Sequence, residues 1–122
     1  MKVKIHFLSI NYELNVKSEF DTQGILLQNG KYNQLKFFEP EGIKVVVNFN
    51  DEIVKITRDE RSKIEFINNK ETLYVINGPY GIVNINIYTT NLEITNNLIH
   101  VEYYFNNDLN QLSHLEISFT KE

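Results

Sequence analysis

The sequence predicts an all-β fold, a closed or nearly closed antiparallel barrel of about eight strands in meander order that takes residues 1–122 as one domain. Three observations predict it. Val, Ile, Tyr and Phe dominate the apolar set while Ala and Trp are absent, and β-branched and aromatic side chains suit a pleated, half-buried surface better than a helix. No segment repeats apolar residues at i, i+3, i+4 and i+7 over three turns, so no long amphipathic helix is written here. Two prolines and five glycines fall between the apolar runs, where turns belong. Closing such a meander removes the two sheet edges that otherwise invite aggregation.

Taken in order, Met1 to Asn11 reads as a first strand whose apolar parity slips at Phe7 and Leu8, which predicts a bulge or bend. Tyr12 to Gln28 is a second strand region, broken or kinked around Gly24. Asn29-Gly30 then separates it from Tyr32, Leu35 and Phe37, and both residues tolerate the positive φ of a type I′ hairpin. After the Pro40-Glu41-Gly42 turn, Ile43, Val45, Val47 and Phe49 alternate with Lys44, Val46 and Asn48 as a half-buried strand. Asn50-Asp51-Glu52, Asp59-Glu60 and Asn68-Asn69-Lys70 turn the chain into strands at Ile53 to Arg58, Lys63 to Ile67 and Thr72 to Ile76. Gly81 to Thr90 follows, extended by Leu92 to Thr95. Then comes Leu98 to Phe105 and, past Asn106-Asn107-Asp108, a last strand with Leu115, Ile117 and Phe119 on one face.

Composition bounds the function classes. A chain of 122 residues is the size of one domain, and 42% hydrophobic with 23% charged residues is a folding composition rather than a disordered one. A net charge of −4 gives no pull towards phosphate, which speaks against nucleic acid as a partner. Without cysteine there is neither disulfide nor thiolate metal site, which favours the cytoplasm. The run from Met1 to Ile10 is interrupted by His6 and Ser9 and lacks the length of a signal sequence, and no stretch is apolar enough to span a bilayer. A soluble cytoplasmic protein with no membrane contact is expected.

Several features in this order resemble the YwiB-like β-barrel family of Gram-positive bacteria, which is placed with the calycins and lipocalins by fold. The resemblance covers nearly the whole chain. It rests on Gly24 before Asn29-Gly30 and Tyr32, on Arg58 closing a strand, on Phe66, on Tyr74 followed by Pro79-Tyr80-Gly81, and on Tyr103. The family's Thr-Pro-Tyr-Gly segment is altered, because Asn77-Gly78 precedes Pro79 here. The resemblance implies a calycin-like barrel and little about function, the family being one of uncharacterised proteins.

The chemistry-bearing residues are few. His6, His100 and His114 lie on separate strands, no carboxylate is expected at ligand spacing beside any of them, and His100 falls on the face opposite Ile99 and Val101; structural or surface roles are expected, with no metal and no cofactor. Only their meeting in space would revive an enzyme reading. Glu39 and Glu41, Asp51 and Glu52, and Asp59 and Glu60 are paired carboxylates in turns, where solvation accounts for them. The serines at 9, 18, 62, 113 and 118 have no recognisable base beside them, so no catalytic residue is assigned.

Arg58 is the residue of most interest. By strict alternation it shares the inner face of Val54 and Ile56, which aims a guanidinium into a barrel mouth, where it needs a carboxylate or anion. Glu65, Tyr74 and Tyr103 are its candidate partners, and Tyr80, in the Gly78-Pro79-Tyr80-Gly81 turn, is placed to pack over an open barrel end. The expected site is therefore Arg58, Tyr74, Tyr80 and Tyr103, a shallow binding place for a small ligand above a filled interior. The alternative is an interaction or homo-oligomerising module with a packed core, for which Val46, Ile53, Ile67, Ile76 and Tyr104 supply apolar side chains outside the assigned core faces.

Overall fold

A computed structural model of the chain describes residues 1–106, 108 and 111–122. Its strands are β1 (Lys2–Asn11), β2 (Val16–Asn29), β3 (Tyr32–Phe38), β4 (Lys44–Phe49), β5 (Ile53–Arg58), β6 (Ser62–Ile67), β7 (Glu71–Gly78), β8 (Gly81–Ile94), β9 (Leu98–Phe105) and β10 (Leu112–Lys121). Each pairs antiparallel with its sequence neighbours, and β1 pairs with β10 to close the barrel. Among the described residues the count is ten rather than about eight, because the short runs after Asp51 and Asp59 make ladders of their own.

Alternation decides the interior. Val3 and Ile5 on β1, Leu35 and Phe37 on β3, Val45, Val47 and Phe49 on β4, and Val54 and Ile56 on β5 are buried, as are Ile99, Val101 and Tyr103 on β9 and Leu115, Ile117 and Phe119 on β10. Phe66 and Ile87 complete this set, so the middle of the barrel is filled by side chains. Thr89 is also fully buried, and its hydroxyl has no partner among the described residues.

Several local expectations need correction. β1 pairs through Phe7 and Leu8 without a register shift, so its apolar slip is only Phe7 facing in and Leu8 facing out. The irregularity lies instead on β8, between Thr89 and Asn91. β2 runs unbroken through Gly24, whose role is close approach: a Cβ there would sit 2.5 Å from Ile5 Cδ1 and 2.5 Å from the Lys36 carbonyl oxygen. In the β2–β3 hairpin Asn29 pairs with Tyr32, and positive φ occurs at Gly30 alone, which suits the first central position of a type II′ turn. The type I′ pattern falls at Arg58 to Arg61, where Asp59 and Glu60 have φ of 50° and 59° and the Arg61 N–H donates to the Arg58 carbonyl at 2.9 Å. The turn expected at Asn106-Asn107-Asp108 includes Asn107, which lies outside the described residues.

The ladder between β6 and β7 is the thinnest, with three register pairs from Ser62–Ile76 to Ile64–Tyr74. Beyond it the β6–β7 connection turns towards β8: Asn68 bridges Thr89, the Asn69 N–H donates to the Thr89 carbonyl at 2.8 Å, and the Thr89 N–H donates to the Lys70 carbonyl at 3.2 Å. The Thr72 hydroxyl also donates to the Glu65 carbonyl. Among the described residues no helix is long and apolar enough to cross a membrane.

Candidate functional site

Because neighbouring strands alternate in direction, the β1–β2, β3–β4, β5–β6 and β7–β8 connections share one end of the barrel. Two of these turns carry the charged pair of that mouth. In the β3–β4 turn the Glu39 N–H donates to the Ile43 carbonyl (2.8 Å), and the Gly42 N–H donates to the Glu39 carbonyl (2.9 Å). Pro40 restricts φ inside this turn and Gly42 takes φ of 88°, so the Glu39 backbone is held at both its polar groups. Arg58 is held by the type I′ turn that follows it, and that turn is tied to β4 by the Lys44 N–H donating to Asp59 Oδ1 at 2.9 Å.

The two side chains meet as a fork. Arg58 Nε donates to Glu39 Oε1 at 3.0 Å, and Nη2 donates to Glu39 Oε2 at 2.7 Å. Glu39 is the deeper partner, with 13% of its side chain exposed against 43% for Arg58. The hydrogen bond to Glu39 raises the Arg58 pKa, with Tyr74 adding in the same direction, so the guanidinium stays charged.

Below the pair lies a cup of about 230 Å³. Phe7, Phe66 and Leu115 give it apolar walls, and Ser9, Ser18, Tyr74 and Tyr103 give it hydroxyls. Tyr103 packs against Phe66 and Phe105 with ring centroids at 4.8 Å and 5.4 Å. Burial pushes its phenol up to about 12, with Tyr74 contributing, while a hydrogen bond with Ser113 acts the other way. The mouth thus offers a neutral charge pair, hydroxyl groups and aromatic faces over a filled core, groups that can hydrogen-bond and stack on a small polar molecule.

Of the four residues singled out from sequence, Arg58, Tyr74 and Tyr103 line this cup. Tyr80 does not; it stands fully exposed at the tip of the β7–β8 hairpin, because β7 and β8 continue to Gly78 and Gly81 past the last β6 partner at Ser62. Arg58 takes Glu39 as its carboxylate partner rather than Glu65, which lies across from Lys55 on the outer face and 3.9 Å from Lys63. The signal for Glu39 was its place just after the Phe37–Phe38 strand end, masked by its membership of an acidic turn.

The outer wall carries the histidines, and here the sequence expectation fails, because all three have carboxylate partners: Asp21 and Glu19 reach His6 from the paired strand β2, while Glu102 and Glu116 stand two residues after His100 and His114 on their own strands. His6 Nδ1 lies 2.6 Å from Asp21 Oδ1 and Nε2 lies 2.9 Å from Glu19 Oε2. The Asp21 hydrogen bond is the main reason the His6 pKa is raised. These two carboxylates sit on opposite ring nitrogens and do not converge. His100 and His114 do converge: their rings meet edge to face at 4.4 Å, and with Glu116 they form a group able to hold a metal ion. The expectation that His100 points away from the core holds, yet its side chain is only 18% exposed.

The outward apolar residues do not form one patch. Ile53 and Ile67 face each other across β5 and β6, Tyr104 stacks on Tyr88 at 5.4 Å, and Val46 lies between Lys36 and Thr57. Ile76 has the parity of Tyr74 and so belongs to the inner face near the rim.

A family profile described as "Domain of unknown function (DUF1934)" matches residues 3–119. Among solved structures, the chain is similar to the crystal structure of the ywiB protein from Bacillus subtilis, with a TM-score of 0.80 and 16% identity over 99% of this chain and 92% of that one. At that identity the likeness is one of fold. No curated protein matches the chain.

Proposed function

The chain belongs to the DUF1934 family, a domain of unknown function, and we propose that its Arg58 mouth holds a small ligand as a calycin-like binding barrel does. The observation that carries this reading is the Arg58–Glu39 fork standing over hydroxyls and aromatic faces at one end of a filled barrel. A folding sequence has no need of a charged pair above Tyr74 and Tyr103 at a site with inward parity, where apolar residues would close the core more cheaply. The cup is smaller than the few hundred Å³ of a drug pocket, so its occupant is a small polar or zwitterionic molecule. In this reading residues 1–122 act as one cytoplasmic domain, a location supported by the lack of cysteine, and the meeting of His100 and His114 keeps an enzyme reading open.

The test is a screen of small polar metabolites by backbone and side-chain NMR of the intact protein. Binding should move the Arg58 Nε–H signal together with Tyr74 and Tyr103, and Arg58→Gln should weaken it by about tenfold or more. Shifts that cluster elsewhere, or affinity unchanged in the variant, refute the reading.

One observation favours a second reading, the interaction module. Tyr80 and Ile82 are exposed where the β7–β8 hairpin overhangs the barrel, and Val83, on the opposite face at its base, is exposed as well. Sedimentation velocity decides it: self-association abolished by Ile82→Ser with Val83→Ser supports the module, and a monomer at all concentrations removes its homo-oligomeric form.

A further inference from the structure

His-x-Glu occurs twice, as His100-Val101-Glu102 on β9 and His114-Leu115-Glu116 on β10. The strands are antiparallel, so the register sets His100 against Glu116 and His114 against Glu102. The result is a checkerboard of two imidazoles and two carboxylates on the outer wall. Its outer-face parity frees it from the core, and the ladder between β9 and β10 fixes the four Cα positions.

Three ligand atoms face one another within it. His114 Nε2 lies 3.2 Å from Glu116 Oε2, and His100 Nδ1 lies 3.9 Å from the same oxygen. The potential ligand atoms of His100, His114 and Glu116 all fall within 4.8 Å of one another. Bonds of about 2.0–2.1 Å around a tetrahedral zinc ion place ligand atoms about 3.3 Å apart, so small side-chain rotations complete the set. The backbone has no need to move. The other nitrogen of His100 is also accounted for: Nε2–H donates to Glu102 Oε1 at 3.3 Å, which turns the Nδ1 lone pair towards the metal position.

The surroundings favour a cation over three idle polar groups. His100 and His114 have side chains only 18% and 13% exposed although they point outward. Leu8 and Ile10 of β1 lie beside Glu116 and His114, limiting water on one side, while Glu93 of β8 lies across from His100 and adds a third carboxylate to Glu102 and Glu116. With neutral imidazoles, the group carries excess negative charge around convergent nitrogen lone pairs.

We propose that His100, His114 and Glu116 form a binding site for a divalent first-row metal of the zinc class on the outer wall, with Glu102 positioning His100. Imidazole and carboxylate together suit zinc, and three protein ligands leave a fourth position open to solvent. On binding, the metal replaces the proton shared between His114 Nε2 and Glu116 Oε2. The site is separate from the Arg58 mouth and does not depend on a ligand there.

The experiment titrates the purified, metal-stripped protein with Co²⁺ followed by Zn²⁺. One equivalent of Co²⁺ should give visible absorption of low coordination number, displaced by Zn²⁺ with micromolar affinity. His100→Gln or His114→Gln should remove that site, and Glu102→Gln should weaken it about 10- to 100-fold. His6→Gln should leave it unchanged, since His6 stands with Glu19 and Asp21 instead. Imidazole NMR of the wild-type protein keeps the question open to refutation even where a variant folds poorly: Zn²⁺ must shift His100 and His114 and leave His6 in place. A dissociation constant weaker than about 100 µM, or undiminished binding in the double histidine variant, overturns the proposal.

Discussion

Removing either side of the Arg58–Glu39 fork should cost unequal amounts, and the inequality follows from burial. Arg58→Met leaves the Glu39 carboxylate, 13% exposed, without its two donors. An unsatisfied charge of that depth costs about 2–3 kcal/mol, below the figure for a fully buried pair because the mouth admits water. Glu39→Gln leaves Arg58, 43% exposed, free to hydrate and still able to donate to the amide oxygen, so its cost is about 1 kcal/mol. The double variant should recover part of the sum, with a coupling of about 1–1.5 kcal/mol that exceeds an ordinary surface pair. Urea unfolding of the four proteins at fixed pH, repeated at high salt, reads all three quantities. A coupling below about 0.3 kcal/mol, or Glu39→Gln costing more than Arg58→Met, would refute the view that the mouth holds this pair in a partly desolvated geometry.

Gly24→Ala should destabilise by about 2–3 kcal/mol in the same assay, because Ile5 Cδ1 can swing away from a new Cβ but the Lys36 carbonyl oxygen, part of the β3 backbone, cannot. A neutral result there would mean that β2 and β3 separate freely. Thr89→Val should be neutral or stabilising by up to about 1 kcal/mol, since it removes a buried hydroxyl with no partner among the described residues; a loss of stability would reveal a bound water. The raised Tyr103 pKa favours the neutral phenol in the folded state, so its contribution is complete below the ordinary value of 10.0 and is lost as pH rises through about 12. Ultraviolet titration should show one tyrosine ionising late, together with the loss of folded signal, and Tyr103→Phe should remove that late step.

Strand positions were legible because they depend on side-chain parity, which a single sequence displays. Val45, Val47 and Phe49, or Ile99, Val101 and Tyr103, could have only one buried face. The inward aim of Arg58 came from the same rule. What parity does not contain is register between strands, and most missed features depend on register, although the spacing of His100 with Glu102 and of His114 with Glu116 stood in the sequence itself. Glu39 reaches Arg58 only because the β3–β4 turn folds back beside the end of β5. The two His-x-Glu segments meet only because β9 and β10 pair Leu115 with Val101. Tyr80 was placed over the barrel end by its turn alone, while the length of the β7–β8 overhang, set by where β6 begins at Ser62, carries it clear.

The ring of ladders is uneven in its kinetic demands. Nine ladders join strands that follow one another along the chain, and each can zip up from its own turn. The tenth joins Val3 to Lys121 and must wait until the ends of a curled ribbon find each other. That late seam is secured by nine register pairs, whereas the quickly closed β6–β7 seam has three. Until β1 and β10 meet, both present bare hydrogen-bonding edges, so the slowest step of folding is also the one at which two molecules can complete each other's barrel by exchanging an edge strand.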